Sequence, residues 1–265
     1  MQRRKIIKKS SLNRLDKGKK KADKKVEIFG VPVFGTQKKE VLRKIGLQRK
    51  EMLHVATVNS EYVMEARRQR EFKEILAHSW TIVDSWGVVW ALKILYNQSV
   101  ERISGVELVE EILMRANRLG EKVFLLGAQL GIAEKAAATM VREYPEIKFM
   151  WYEGARTVAV ELAEEASMTI AKINGFEPDY LLVAYGSPWQ DSWIEENRSY
   201  LRVRVAMGVG GVLDEWAGVV KKCPKWLDQL GLKWAWRVWH EPWRWRRVAK
   251  VFQFGALVMY HKLID

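Results

Sequence analysis

The chain has 265 residues, of which 48% are hydrophobic and 29% are charged, and its formal net charge at pH 7 is +13. This length suffices to bury a full core, either as one α/β domain or as one domain with a smaller appendage. The single Cys223 excludes an intramolecular disulfide, and the four scattered histidines disfavour a zinc site. The sequence contains no apolar run of about eighteen residues, so no membrane span is predicted. The charged first residues are not followed by the apolar core of a secretion signal, which argues against secretion.

The positive charge is concentrated at the two ends of the chain. Residues 1–25 contain twelve Lys and Arg against two Asp, and residues 221–250 contain nine against Asp228 and Glu241. The remainder is mildly acidic, so the ends are expected to meet an anionic surface, either lipid headgroups or nucleic acid. Residues 1–25 are predicted to form a disordered basic arm, which either makes such a contact or only solubilises the protein.

The first predicted elements are a short strand pair over residues 26–34 and a helix over about 37–47. A strand at 53–58, a helix at 61–77 and a strand at 81–83 follow, in the order expected of a parallel βαβ unit.

Polar side chains end both strands of this unit. Thr57 and Asn59 end the first strand, and Asp84 follows the second. Because ligands bind outside the carboxyl ends of parallel strands, these three side chains are predicted to share one pocket. A carboxylate among small polar groups can take a proton from a hydroxyl. The alternative is that Asp84 caps the following helix and Asn59 forms a turn.

Helices and strands continue to alternate along the rest of the domain. Helices are predicted at about 88–95, 105–117, 132–144 and 158–173, and strands at 122–126, 147–152, 180–185 and 203–207. This alternation predicts a Rossmann-like, mostly parallel sheet with helices on both faces.

Three of the predicted strand ends carry glycine. They are Gly127, Gly186 and the run Gly208 to Gly211, which contains Gly210 and is followed by Asp214. Glycine lets a nucleotide diphosphate approach the backbone closely, although a single glycine at such a turn usually serves only the turn. The three-glycine dinucleotide fingerprint is absent, which disfavours an oxidoreductase.

The composition changes at Lys221, where tryptophans become interleaved with Lys and Arg. The six tryptophans of this segment are Trp226, Trp234, Trp236, Trp239, Trp243 and Trp245. A helical segment of this kind is typical of a membrane interface, but it could also stack on single-stranded nucleic acid. Some of these rings must also pack against the domain. The predicted divisions are therefore a basic arm (1–25), an α/β catalytic domain (26–220) and a helical appendage (221–265).

Taken together and in order, eight short motifs resemble the WecG/TagA/CpsF glycosyltransferase family (glycosyltransferase family 26), over roughly residues 26–250. The motifs are ATVNSEY (56–62), VDSWGVVWA (83–91), ERISGVEL (101–108), VFLLGA (123–128), YGSPWQDSWI (185–194), GVGGVLDEWAG (208–218), KKCPKWLDQLGL (221–232) and WRVWHEPWRWRR (236–247).

The resemblance implies an inverting transfer of a hexose from a UDP-sugar to a polyprenyl-diphosphate-linked acceptor sugar, without a metal or another cofactor. The hexose would be N-acetylmannosamine, its uronic acid or a related sugar, used in teichoic acid or another bacterial surface polysaccharide. Such an enzyme works peripherally on the anionic cytoplasmic face of the membrane and does not need nucleic acid. Separately, exposed tryptophans would favour burial in a homo-oligomer, although no motif indicates its interface.

The resemblance also implies roles for individual residues. Asp84 matches the proposed catalytic base, Thr57 and Asn59 match polar residues of the pocket, and Arg102 matches the pocket arginine. Gln190 falls in a Gly-x-Pro-x-Gln turn, and Arg237, Arg244 and Arg247 match arginines thought to close over the site and hold the lipid diphosphate. Without the family, Arg102 would be expected to pair with a surface carboxylate.

Three positions and one segment depart from the family pattern. Ser85 replaces a glycine after the base, Asp191 replaces a glutamate after Gln190, and Lys233 stands where an acidic residue is common. The segment 153–156 lacks the expected glycine-rich character, which leaves the donor sugar open. The competing hypothesis is a nucleic-acid-binding module built from the basic arm and the Trp/Arg segment.

Overall fold

The computed structural model of the protein describes residues 25–47, 51–155, 157–242 and 245–264, without the side chain of Arg246. Apart from Lys25, the predicted basic arm at 1–25 lies outside the described residues. The predicted phosphate ligand Arg244 lies outside them as well.

Eight strands form one sheet in the order β1-β2-β4-β3-β8-β7-β5-β6. Their bounds are β1 (Lys25–Ile28), β2 (Val31–Phe34), β3 (Leu53–Val58), β4 (Trp80–Val83), β5 (Lys122–Gly127), β6 (Lys148–Tyr152), β7 (Tyr180–Ala184) and β8 (Val205–Gly208). The hairpin of β1 and β2 is antiparallel, and the other described pairings are parallel. The predicted mostly parallel α/β sheet is confirmed.

Twelve α-helices are described around this sheet, and a short 3-10 helix at Val158–Val160 precedes the seventh of them. They are α1 (Lys38–Ile45), α2 (Ser60–Ala66), α3 (Arg70–His78), α4 (Trp86–Tyr96), α5 (Gly105–Leu119), α6 (Ile132–Glu143), α7 (Ala163–Phe176), α8 (Trp189–Glu196), α9 (Val212–Trp216), α10 (Lys225–Gln229), α11 (Lys233–His240) and α12 (Trp245–Ile264). None of these described helices is both long and apolar enough to cross a bilayer.

The two faces of the sheet bury alternate residues of each strand. On β5, Val123 and Leu125 join the core cluster that contains residues of α1, α5 and α6, whereas Phe124 and Leu126 point to the opposite face. That opposite face is covered by α2, α3, α4 and α12 at one end and by α7 and α8 at the other. Strands that are buried on both faces explain the continuous apolar runs in the sequence.

The helix predicted over residues 61–77 is two helices, α2 and α3, with a break at residues 67–69. At about 100° per residue, a continuous helix would turn Phe72 about 180° away from Val63. Both side chains are buried in the same core cluster. The break at 67–69 therefore lets both helices direct their apolar residues at the sheet.

Two features of the fold were not anticipated from the sequence. The first is α8, which follows β7 directly and which the periodicity of residues 189–196 did not indicate. The second is the position of α12, whose Phe254 and Val258 are fully buried in the core cluster with α2 and α4. The division of residues 221–265 into a separate appendage stays a prediction, and its last helix contributes directly to the core.

Candidate active site

A cleft of about 1340 Å³ opens at the carboxyl edge of the sheet. It is bounded by the ends of β3, β4, β7 and β8 and by α10, α11 and the start of α12. Most of the predicted site residues line it: Thr57, Asn59, Asp84, Arg102, Gly186, Gln190, Gly210, Gly211, Asp214, Arg237 and Arg247. The convergence expected of parallel strand ends is therefore present.

Asp84 lies just after β4, with its carboxyl group at the cleft. Its Oδ1 accepts a hydrogen bond of 2.8 Å from the backbone N–H of Gly105, the first residue of α5. Burial raises the pKa of Asp84 above its ordinary value of 3.8, and the charge of Lys233 and the Gly105 hydrogen bond partly offset this rise. A carboxylate with a raised pKa is a stronger proton acceptor, as a general base requires.

The sequence left open that Asp84 caps the following helix and that Asn59 forms a turn, and the two residues differ in this respect. Ser85, not Asp84, caps α4, because its hydroxyl accepts the N–H of Val88. Asn59 does cap α2, since its side-chain oxygen accepts the N–H of Tyr62 at 3.1 Å. Asn59 is therefore fixed by a helix cap while it also lines the cleft.

Thr57 lies on β3 opposite the first turn of α5. A Cβ at Gly105 would stand 3.3 Å from the Thr57 side chain, so the helix approaches β3 closely because residue 105 is glycine. This packing places Thr57, Asp84 and the start of α5 together on one side of the cleft.

Arg102 forms a two-bond ion pair with Asp228 of α10, with both N–O distances at 3.1 Å. Its guanidinium also lies 5.3 Å from the centre of the Trp86 ring and donates to the backbone carbonyl of Asp84 at 3.4 Å. The pairing with a carboxylate that its position alone suggested is thus present, but the partner belongs to the Trp-rich segment. Arg102 ties that segment to the strand end that carries Asp84.

Gln190 is 4% exposed, and both ends of its amide are engaged inside the protein. Its Nε2 donates to the hydroxyl of Tyr62 at 2.8 Å, and its Oε1 accepts the N–H of Gly210 at 2.9 Å. Gln190 therefore holds the glycine loop at the end of β8. Its predicted role as a sugar ligand stays a prediction.

The glycine-bearing strand ends differ in what they offer to a ligand. Gly186, Gly210 and Gly211 line the cleft, whereas at the end of β5 the lining residues are Ala128 and Gln129 rather than Gly127. Gly127 has φ +97°, and a Cβ there would meet the Tyr185 ring at 2.7 Å, so this glycine serves the packing of Tyr185. Asp214 lies in α9, immediately behind the glycine loop.

Arg237 of α11 is held between two buried carboxylates. Its Nη1 stands 3.3 Å from Glu215 and 3.3 Å from Glu241. The Glu215 contact attaches α11 to α9 beside Gly211, whereas Glu241 directly follows α11. Arg247, by contrast, is exposed at the rim of the cleft.

Several cleft residues were missed by the sequence reasoning. Lys233 was noted only as a departure, yet its charge acts on Asp84. Trp86, Trp189 and Trp234 also line the cleft, and each is 39–46% exposed. Their spacing in the chain gave no signal, because they come from three different elements. Among the described residues, no group of three or more His, Cys, Asp or Glu side chains could hold a metal ion.

Comparison with protein families agrees with this geometry. The family model described as "Glycosyl transferase WecG/TagA/CpsF family" matches residues 26–265. The match includes every element from β1 to α12.

Two similar bacterial proteins share the name N-acetylglucosaminyldiphosphoundecaprenol N-acetyl-beta-D-mannosaminyltransferase. One, from Bacillus subtilis (strain 168), is 29% identical over 206 residues, which cover 77% of this chain and 78% of that protein. Another, from Staphylococcus aureus (strain MRSA252), is 32% identical over 232 residues, which cover 86% of this chain and 88% of that protein.

Proposed function

Since the chain belongs to the WecG/TagA/CpsF glycosyltransferase family, we propose that it transfers N-acetylmannosamine, or a closely related hexose, from a UDP-sugar to a polyprenyl-diphosphate-linked N-acetylglucosamine. The substrate class follows the names of the similar Bacillus and Staphylococcus proteins. The product would be an intermediate of teichoic acid or another surface polysaccharide.

The observation that carries the proposal is the Asp84 carboxyl group, which stands in the cleft with a raised pKa. In a single displacement, Asp84 accepts the proton of the acceptor hydroxyl while that oxygen forms a bond to the anomeric carbon. The bond from the anomeric carbon to the UDP oxygen breaks on the opposite face, so the configuration inverts and UDP leaves with the electron pair. Thr57 and Asn59, on the neighbouring strand end, are positioned to orient the sugar hydroxyls.

The leaving diphosphate needs positive partial charge nearby. The glycine loop Gly208 to Gly211 brings backbone close to the cleft, and Arg247 at the rim and Lys233 beside Asp84 add full charges. Groups that are fixed before the reaction stabilise developing charge without reorganising. We assign Arg237 to positioning the loop, because its Nη1 pairs with Glu215 and Glu241 while its Nη2 lies against Gly211.

A lipid-linked acceptor requires the enzyme to work at a membrane surface, and one side of the molecule exposes apolar side chains suited to contact with lipid. Trp86 and Trp90 are 44% and 42% exposed on α4, and Phe252 and Leu263 are 64% and 82% exposed on α12. Since α4 and α12 pack together, their outward stripes form one apolar surface beside basic residues. Trp234 joins this surface to the cleft, because it lines the cleft and packs edge-on against Phe252 at 5.8 Å. We propose peripheral binding to anionic lipid on the cytoplasmic face of the membrane.

The test is Asp84→Asn in an assay of UDP release from a panel of UDP-hexoses, with a polyprenyl-diphosphate-GlcNAc analogue as acceptor. Because the amide cannot accept the proton, kcat is expected to fall by about 100- to 10,000-fold. The affinity for UDP should stay within about threefold of the wild type, since the carboxylate is placed at the acceptor and not at the nucleotide. Full activity of the variant would contradict the assignment.

Nucleic-acid binding through the basic segments predicts a different pattern. It requires salt-dependent affinity for DNA or RNA that Asp84→Asn leaves intact, together with no UDP release by the wild type. Measuring UDP release and nucleic-acid affinity for the wild type and for Asp84→Asn therefore distinguishes glycosyl transfer from nucleic-acid binding.

A further inference from the structure

Four buried side chains lie in a row beneath the cleft and connect its floor to the interior. Gln190 donates to the Tyr62 hydroxyl at 2.8 Å, Tyr62 donates to Asp191 Oδ2 at 2.6 Å, and Asp191 Oδ1 lies 3.1 Å from His54 Nε2. All four are at most 4% exposed. The row joins residues of α8, α2 and β3, which are far apart in the chain.

The far end of the row is a histidine that faces two carboxylates. His54 Nε2 faces the Asp191 carboxylate, which can only accept, so Nε2 carries a hydrogen and donates it. On the other side of the ring, Nδ1 lies 2.9 Å from the Ser79 hydroxyl and 3.5 Å from Glu195. The Ser79 hydroxyl also lies 2.8 Å from the carbonyl of Ile75.

The direction in which the pKa of His54 is shifted agrees with this geometry. Burial alone would lower the pKa of His54, but the hydrogen bonds to Asp191 and Glu195 outweigh burial and raise it above the ordinary 6.5. Burial likewise opposes the ionisation of Glu195, yet hydrogen bonds from His54 and Arg198 lower the pKa of Glu195 to about 2.

Matching donors to acceptors also determines the orientation of the Gln190 amide, at the end of the row that faces the cleft. Tyr62 gives its only hydroxyl proton to Asp191, so its oxygen must act as an acceptor toward Gln190. The donor end of the amide, Gln190 Nε2, therefore faces Tyr62. The Gln190 Oε1 is then left to accept the N–H of Gly210 at 2.9 Å. A flipped amide would set two donors against each other at Gly210.

The glycine loop rests directly on this amide. A Cβ at Gly208 would lie 2.3 Å from Gln190 Nε2, and Gly210 has φ +52°. The backbone N–H of Tyr62 is bound by the side chain of Asn59, which caps α2 and also lines the cleft. One tyrosine thus contacts two other lining residues, Asn59 through its backbone and Gln190 through its hydroxyl.

Core stability alone does not call for such a row, because apolar side chains of similar volume commonly replace buried charges at no cost in stability. What the row adds is a fixed direction of hydrogen bonding that ends on a loop amide in the cleft. We propose that Tyr62, Asp191 and His54 are positioning residues that set the Gly208–Gly211 loop to receive the diphosphate of the donor nucleotide. This inference rests on the proposed function, in which that loop meets the UDP group.

The test is Tyr62→Phe, which removes the acceptor that orients the Gln190 amide. The dissociation constant of UDP, measured by calorimetry, is expected to rise by about tenfold through loss of loop order. The KM for the donor should rise similarly while kcat changes by less than about threefold, since the diphosphate is bound before and during the reaction. Asp191→Asn keeps an acceptor for Tyr62 and should weaken UDP binding less than Tyr62→Phe.

The matched control is Thr169→Val, which removes a fully buried hydroxyl that donates to Glu165 within α7 and does not line the cleft. It should lower the melting temperature comparably and leave UDP affinity within about twofold of the wild type. The inference is overturned if Tyr62→Phe and Asp191→Asn match this control in UDP affinity. Failure of the proposed function appears separately, as a wild type that releases no UDP from any donor.

Discussion

Asp84 occupies a position whose electrostatics are set by neighbours from distant parts of the chain. Burial favours its neutral form, whereas the Gly105 N–H and the charges of Lys233 and Arg102 favour the carboxylate. A cation at Lys233 lowers the pKa of Asp84, whereas a carboxylate at the same position would raise it. If Asp84 is the base, Lys233 is expected to extend its active range to lower pH.

Lys233→Met is therefore expected to move the acid limb of the pH–kcat profile to higher pH. The base must be ionised to accept a proton, so activity falls as the pH drops through the pKa of Asp84. Loss of the Lys233 charge raises that pKa further, and the fall then begins at a higher pH. The measurement is kcat as a function of pH at saturating substrates.

Lys221→Met is the control, because Lys221 also lines the cleft but does not contribute to the shifted pKa of Asp84. Its acid limb should coincide with that of the wild type. Equal displacement in both variants would mean that the effect comes from total charge and not from Lys233.

At the scale of elements, α12 belongs to the hydrophobic core as well as to the surface. Phe254 is 1% exposed and packs with residues of α2 and α4, while Phe252, two residues earlier, is 64% exposed. A tail that served only as a membrane anchor would not need the buried phenylalanine.

Phe254→Ala should lower the free energy of unfolding by about 3–5 kcal/mol, because it leaves a cavity in the core. Phe252→Ala should change it by less than about 1 kcal/mol. Urea unfolding without lipid, followed by far-UV circular dichroism, provides the measurement. If both variants unfold like the wild type, α12 does not contribute to the stability of the α/β domain.

At the scale of the whole molecule, this packing decides how membrane binding can be tested. Removing all residues after Lys221 would also remove Phe254 and Val258 from the core, so loss of binding would not identify the lipid surface. Point substitutions on the outward stripes avoid this problem, because those side chains contribute little to the core.

Replacing Trp90 and Phe252 together by Ser is expected to weaken binding to anionic vesicles by about tenfold or more, because the variant lacks the apolar area that these two side chains would bury in lipid. Co-sedimentation with phosphatidylglycerol vesicles at two salt concentrations provides the measurement. The control is Tyr200→Ser, which removes a 66% exposed ring just before β8, at the opposite edge of the sheet from the cleft. Equal binding by both variants would place the lipid surface elsewhere.

The sequence by itself determined the alternating α/β elements, the parallel sheet, and the convergence of Thr57, Asn59 and Asp84, because strand ends follow from apolar periodicity and topology. It also identified the family, because eight motifs in order carry more information than any one of them. Only the tertiary structure decided that Arg102 pairs with Asp228, that Gln190 holds Gly210, that residues 61–77 divide into two helices, and that Phe254 is buried. Each of these depends on contacts between residues that are distant in the chain, and neither local propensity nor spacing encodes which partner a side chain will meet.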